Sequence, residues 1–161
     1  DLIPDLPSGV FPVGRLDRDS EGLLILTSDG ELAYRLTHPR YEVAKRYVVH
    51  VRGEMDETAA GRLRAGVFVE GRKTAPAKVE VFERSARGSV LQIEIHEGRK
   101  HEVRNMCEAV GHPVVSLKRV MFAGLSLSHL PAGDHRSLTG AEILRLKKAA
   151  KIGKIGRHNT A

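Results

Sequence analysis

The residues best placed to do chemistry in this sequence lie between Gly14 and Gly22. The segment Gly14-Arg15-Leu16-Asp17-Arg18-Asp19-Ser20-Glu21-Gly22 holds two arginines, three acids and two glycines. A buried strand does not tolerate that load unpaired, so the segment reads as a charged loop. It runs directly into Leu23-Leu24-Ile25-Leu26-Thr27, an apolar run long enough for one buried strand. Side chains on a loop fixed to a core strand are positioned by a rigid element, which suits catalysis. Asp17 stands out because Arg15 and Arg18 flank it. Neighbouring guanidinium groups favour the charged carboxylate, the form that acts as nucleophile or base. The same spacing also fits a surface aspartate in an exposed ion pair, worth roughly 0–1 kcal/mol.

Other chemical groups are weaker or need partners that spacing does not supply. Asp19 and Glu21 offer further carboxylates for paired-acid chemistry or a Mg²⁺ ion. Sequence neighbours rarely reach the separation that paired carboxylates need, and the arginines compete with a cation. The eight histidines show no ligand spacing, so no metal site is expected. Tyr47, in a β-rich stretch, fits a core or hairpin position, or a ring shown to a cleft where a base stacks on it. Arg104 lies one position round from the apolar Val103, and a partly buried guanidinium requires a carboxylate. Asp17 is a candidate, although spacing does not bring the two together. Cys107 falls on an apolar helix face and reads as inert packing.

Composition narrows the class. A 161-residue chain supports one well-buried domain. Cys107 is its only cysteine, so an internal disulfide and a cysteine-rich metal site are excluded. No apolar run approaches a membrane span and no signal peptide is visible, so a cytoplasmic location is expected. Lys plus Arg outnumber Asp plus Glu by 26 to 20, a net charge of +6 that favours a polyanionic partner such as nucleic acid. Aromatic residues are only 4%, with no Trp, so a broad stacking platform for single strands is excluded.

The elements that must position these groups follow in chain order. Residues 1–12 read as an irregular lead-in with Val10 and Phe11 as core anchors, and the lack of an initiator Met suggests sequence upstream. Ser28-Asp29-Gly30 is a turn, and Glu31–Leu36 a short helix stopped by His38-Pro39. Lys45–Arg52 reads as a strand with Tyr47, Val49 and Val51 on one face. Asp56–Arg64 reads as a helix ended by Gly66. Strands are expected at Lys78–Glu83 and Val90–His96. Gly98–Gly111 carries Val103, Met106, Cys107 and Val110 as one buried helical stripe. Its first turns hold Arg99, Lys100, His101 and Arg104, positive charge at the positive end of the dipole, which costs stability unless anions bind there. Pro113–Met121 reads as a strand with Lys118 and Arg119 exposed, and Thr139–Ala150 as a last helix. The fold class is α+β, with a mixed, largely antiparallel sheet flanked by helices. Residues 1–150 form one domain, and 151–161 a basic flexible tail.

Three of these stretches together resemble a known family. Gly14-Arg15-Leu16-Asp17, Lys45-Arg46-Tyr47 and Glu97-Gly98-Arg99-Lys100-His101-Glu102-Val103-Arg104-Asn105-Met106 are similar to the signature segments of bacterial ribosomal RNA pseudouridine synthases, the RsuA/RluB branch above all. The likeness runs from about Asp1 to Lys148, with the segments in the family's order. It implies isomerisation of a uridine in ribosomal RNA to pseudouridine without cofactor or metal. Asp17 would be the essential carboxylate, attacking C1′ or removing the 2′ proton. Tyr47 would stack under the target base, and Arg104 would hold the Asp17 carboxylate. The target base must leave its stack, at a cost of a few kcal/mol. Arg15, Arg18, Lys100, Lys118 and Arg119 are the candidates to grip phosphates and offset it.

The implied partner is ribosomal RNA or a ribosomal subunit precursor, with no membrane and a monomeric chain. Wording around Gly14 to Lys45 favours a large-subunit (23S) site over a small-subunit one. Family members usually carry an S4-like RNA-binding domain, a linker and a first catalytic-domain strand ahead of the point where this sequence starts. The alternative functions are a non-catalytic RNA-binding or ribosome-assembly module, and a Mg²⁺-dependent nuclease using Asp17, Asp19 and Glu21.

Overall fold

The structure, a computed structural model, describes residues 6–152. In chain order the elements are β1 (Phe11–Pro12), β2 (Glu21–Gly22), β3 (Leu26–Thr27), α1 (Gly30–Thr37), β4 (Lys45–Arg52), α2 (Glu57–Ala65), β5 (Phe68–Val69), β6 (Arg72–Lys73), β7 (Lys78–Ser85), β8 (Gly88–Ile95), α3 (Glu102–Ala109), β9 (Val114–Phe122), β10 (Leu125–Ser126) and α4 (Gly140–Ala149). The main sheet runs β10-β9-β4-β8-β7 with antiparallel neighbours, and β2 adds a short parallel pairing to β9. The expected mixed, largely antiparallel sheet is therefore present.

Local chemistry explains most boundaries. Asp29 caps α1 by accepting from the Leu32 amide at 3.1 Å, and Asp56 caps α2 by accepting from the Ala59 amide at 2.8 Å. Gly66 ends α2 at φ +101°, where a Cβ would strike the Thr74 carbonyl oxygen at 2.3 Å. Thr139 and Glu142 close a capping box at the start of α4. Strand β4 has the expected bounds, and its alternation buries Val49 and Val51.

Two apolar clusters fill the interior. One joins Val49, Val51, Leu91, Ile93 and Leu117 of the sheet to Leu63 of α2 and Val103, Met106 and Cys107 of α3. The other joins Val13, Ile25, Phe122 and Leu125 to Leu32 and Leu36 of α1 and Leu146 of α4. Burying each Leu or Ile fully contributes about 1.5–3 kcal/mol. Burial pushes the Cys107 thiol up to about 12, which fits inert packing.

Three expectations need correction. The run Leu23–Thr27 is not one buried strand. Leu23 bonds to the main chain of β9, Leu24 is exposed, and only Leu26 and Thr27 pair, with β1. The lead-in is anchored by Val13, fully buried, whereas Phe11 is exposed. Helix α3 starts at Glu102 and not at Gly98, because other bonds hold the preceding residues. The Arg99 guanidinium donates to the Val69 carbonyl at 2.6 Å and the Arg72 carbonyl at 3.2 Å. His101 then takes a left-handed φ of +52°, which interrupts a helix. Of the basic tail, residues 153–161 lie outside the described residues.

Candidate active site

An extra residue in β9 shapes the site. Tyr47 lies opposite Arg119 and Arg46 opposite Met121, so Val120 is bulged out of the ladder between β4 and β9. Residues three apart on a regular strand point to opposite faces. Here Arg119 pairs with Tyr47 and Phe122 with Lys45, so all four share one face. The Arg119 guanidinium lies 4.6 Å from the centroid of the Phe122 ring. These four side chains line a cavity of about 210 Å³ at the seam between the two apolar clusters. That is roughly the volume of seven liquid waters, which suits one base and not a length of strand. Its rim is the Gly14–Asp17 segment on one side and residues 97–103 on the other.

Asp17 reaches into this cavity. Its carbonyl accepts from the Ser20 amide at 2.9 Å, which closes the loop into a turn. Its Oδ1 lies 3.7 Å from Nε2 of His101, and its charge is felt by both Tyr47 and Arg119. Arg119 is buried, at 3% exposure. Its Nε donates to the Leu23 carbonyl at 2.9 Å, and its own carbonyl accepts from the Leu23 amide at 2.8 Å. Its Nη2 is buried without a hydrogen-bond partner.

Burial sets the electrostatics of the floor. It raises the pKa of the Tyr47 phenol, which the nearby Arg119 guanidinium opposes. Burial likewise lowers the pKa of Arg119, opposed by Tyr47 and Asp17. Lys45 is lowered by burial first and by Arg119 second, and its Nζ donates to the Glu97 carbonyl at 3.3 Å. Glu102 is pushed up to about 7, chiefly by burial and further by the Glu97 carboxyl, although the Arg99 amide donates to its Oε1 at 3.0 Å. One oxygen of each carboxyl, Oε1 of Glu97 and Oε2 of Glu102, is buried without a hydrogen bond, although Nη1 of Arg99 lies 4.0 Å from the first.

The structure gathers some of the sequence candidates and separates others. Asp17 and Tyr47 line the same cavity, with Arg15 and Lys100 exposed at its rim. Arg18 is exposed outside it. Arg104 does not pair with Asp17; its Nη2 donates to the Asp19 carbonyl at 2.9 Å. From the first turn of α3 it reaches the main chain of the loop and not the carboxylate. Lys118 is exposed on the opposite face of β9, against a larger, mostly apolar groove of about 850 Å³ that contains none of Asp17, Tyr47 and Arg119. Arg119, expected to be exposed, is buried in the site instead, because it shares the face of Tyr47. Alternation with the apolar Leu117 was the signal for that placement. Lys45, Glu97, His101 and Glu102 were missed as site residues. Among the described residues no three His, Cys, Asp or Glu side chains are placed to hold a metal ion, Asp17, Asp19 and Glu21 included.

Comparison with known proteins points to one family. Residues 4–109 match the family described as RNA pseudouridylate synthase. The chain is 44% identical to the ribosomal large subunit pseudouridine synthase B of Bacillus subtilis over 96% of its own length and 64% of the relative's. It is 39% identical to the ribosomal large subunit pseudouridine synthase E of Xanthomonas campestris, over 81% of this chain and 78% of that one. A crystal structure of a pseudouridylate synthase superposes with a TM-score of 0.80 at 33% identity, over 86% of this chain and 60% of that one. The chain thus spans somewhat less than two thirds of the Bacillus relative.

Proposed function

The chain belongs to the RNA pseudouridylate synthase family, and on that premise we propose that it isomerises a uridine of ribosomal RNA, in the large subunit, to pseudouridine. The observation that carries this reading is the meeting of Asp17, Tyr47 and a buried cation in a cavity sized for one base. Residues 1–150 serve as the catalytic domain. Ribosomal RNA or a subunit precursor is the substrate, taken up by a monomer without cofactor or metal.

The reaction needs little beyond what lines the cavity. The flipped nucleotide enters past Arg15 and Lys100, which hold its flanking phosphates, with Arg18 further out. The base lies on Tyr47. Asp17 either attacks C1′, displacing the base as N1 departs, or takes the 2′ proton to leave a glycal. The freed base turns in the cavity and C5 bonds to C1′ as the Asp17–C1′ bond breaks or, on the glycal route, as Asp17 returns its proton to C2′; the C5 proton is then lost and N1 regains one. Arg104 holds the loop that carries Asp17 through the Asp19 carbonyl, so it is a positioning residue. Among the described residues no helix is long and apolar enough to cross a membrane.

The test is Asp17→Asn, assayed by tritium release from 5-tritiated uridine in 23S rRNA. The parent chain releases tritium, and the variant binds the same RNA and releases none. Equal release by both removes Asp17 from the mechanism.

A further inference from the structure

Arg119 is a buried cation with an unused donor. Its Nε is committed to the Leu23 carbonyl at 2.9 Å and its face to the Phe122 ring, so the guanidinium cannot swing toward solvent. Its Nη2 has no partner in good hydrogen-bond geometry, although the Tyr47 phenol is close enough to interact with the guanidinium, and the residue is only 3% exposed. A buried charged donor left unpaired destabilises a fold, so its retention points to a ligand group that completes it. The same guanidinium lines the Asp17 cavity and feels both the Asp17 carboxylate and the Tyr47 phenol.

The proposed reaction moves a negative charge through that space. When the N1–C1′ bond breaks, its electron pair leaves with N1, and the detached base is an anion whose charge spreads to O2 and O4. This holds whether the Asp17 oxygen bonds to C1′ or takes the 2′ proton. In either case Asp17 loses its charge as the base gains one. A fixed cation within reach of both stabilises the charge where it develops, with no reorganisation at the moment of reaction.

We propose that Arg119 is a catalytic residue that donates from Nη2 to a carbonyl oxygen of the departing base and holds the uracil anion while it turns. The assignment rests on the pseudouridine synthase reading and deepens it. It differs from phosphate gripping, because Arg119 is reached only from inside the cavity. Lys45 shares the floor, with one of its three N–H groups on the Glu97 carbonyl at 3.3 Å; the donor that is buried with no hydrogen-bond partner belongs to Arg119.

The test compares two leaving groups within one variant. Single-turnover loss of the N-linked nucleoside is followed in protein-free 23S rRNA transcribed with uridine or with 5-fluorouridine, by nuclease digestion and chromatography. Fluorine withdraws electrons from the base, so its anion needs less help. Arg119→Met is expected to slow loss of uridine by about 10²–10³-fold and loss of 5-fluorouridine about ten-fold less. Arg119→Lys, which keeps the charge, is expected to recover part of that selectivity. The ratio of the two rates does not depend on how much of a variant is folded. An equal deficit on both bases in Arg119→Met, with the parent active, overturns the assignment alone and leaves Arg119 as a structural group. A parent chain that leaves both nucleosides intact overturns the pseudouridine synthase reading itself.

Discussion

Gly22 lies against the main chain of Arg119 so closely that a Cβ added to it would sit 2.2 Å from the Arg119 carbonyl oxygen and 2.5 Å from its nitrogen. Gly22 also has a φ of +123°, which L side chains rarely adopt. Together with the two Leu23–Arg119 bonds, this contact sets the distance between the Asp17 loop and the floor of the cavity. Gly22→Ala is therefore expected to cost about 2–4 kcal/mol, the sum of backbone strain and a clash with atoms that cannot rotate away. Urea denaturation measures the loss. An unchanged midpoint would mean that the loop does not dock on β9 as described.

Glu102 gives stability a pH dependence of unusual sign. It faces Glu97 and Arg99 on its own side of the cavity, and Lys45 and Tyr47 on β4. Its folded pKa, about 7, lies above the ordinary 4.5, so the folded state binds the proton more tightly than the unfolded one. Its contribution is thus most favourable below pH 4.5 and declines as pH rises to about 7. The loss is about 1–3 kcal/mol, with the lower end set by water in the cavity. Glu102→Gln keeps the shape and removes the titration. Urea titrations of parent and variant from pH 5 to pH 8 should show a steeper decline in the parent, and parallel curves would count against a buried Glu102 proton.

How much of this was legible depends on whether the signal was periodic. Strand β4 and the stripe Val103, Met106, Cys107 and Val110 follow the repeat of their own element, so the sequence alone places them. The Asp17–Tyr47 meeting was legible through resemblance, since nothing local relates a loop at 17 to a strand at 47. The cation was misplaced. Arg119 looks like a surface charge beside Lys118, although its alternation with Leu117 puts it on the buried face; what was not legible is the bulge at Val120, which brings Phe122 to that same face. Bulges leave no composition signature. The partnership expected between Arg104 and Asp17 failed for a related reason: His101 in a left-handed conformation delays α3 and sets where its first turn points. The hairpin β5–β6 is only two residues per strand, too short for alternation to register.

Arg104 acts on the loop and not on the carboxylate. Its Nη2 bond to the Asp19 carbonyl, two residues beyond Asp17, fixes the main chain from which the Asp17 carboxylate projects. Arg104→Ala is expected to lower kcat by about 10²-fold through misplacement of the carboxylate, with KM little changed. Stability should move by less than about 1 kcal/mol, because the side chain is partly exposed and replaceable by water. Steady-state kinetics beside a melting curve separates these. A rise in KM at constant kcat would instead make Arg104 a phosphate ligand.

His101 joins a strained backbone to a side chain beside Asp17, and the two can be pulled apart. Its φ of +52° costs a non-glycine residue about 1–2 kcal/mol, and no side-chain cap bond at the start of α3 offsets it. What the strain secures is the position of the imidazole, with Nε2 3.7 Å from Asp17 Oδ1 at the open side of the cavity. His101→Gly relieves the conformation and deletes the ring, so it should raise the urea midpoint while lowering turnover. His101→Asn, which tolerates the same backbone region and keeps a donor of shorter reach, should fall between parent and glycine variant in both respects. Tritium release and urea denaturation on the three proteins decide it. If turnover is equal in all three while stability rises in the glycine variant, the strain at His101 serves no part of the chemistry, and the ring beside Asp17 is incidental.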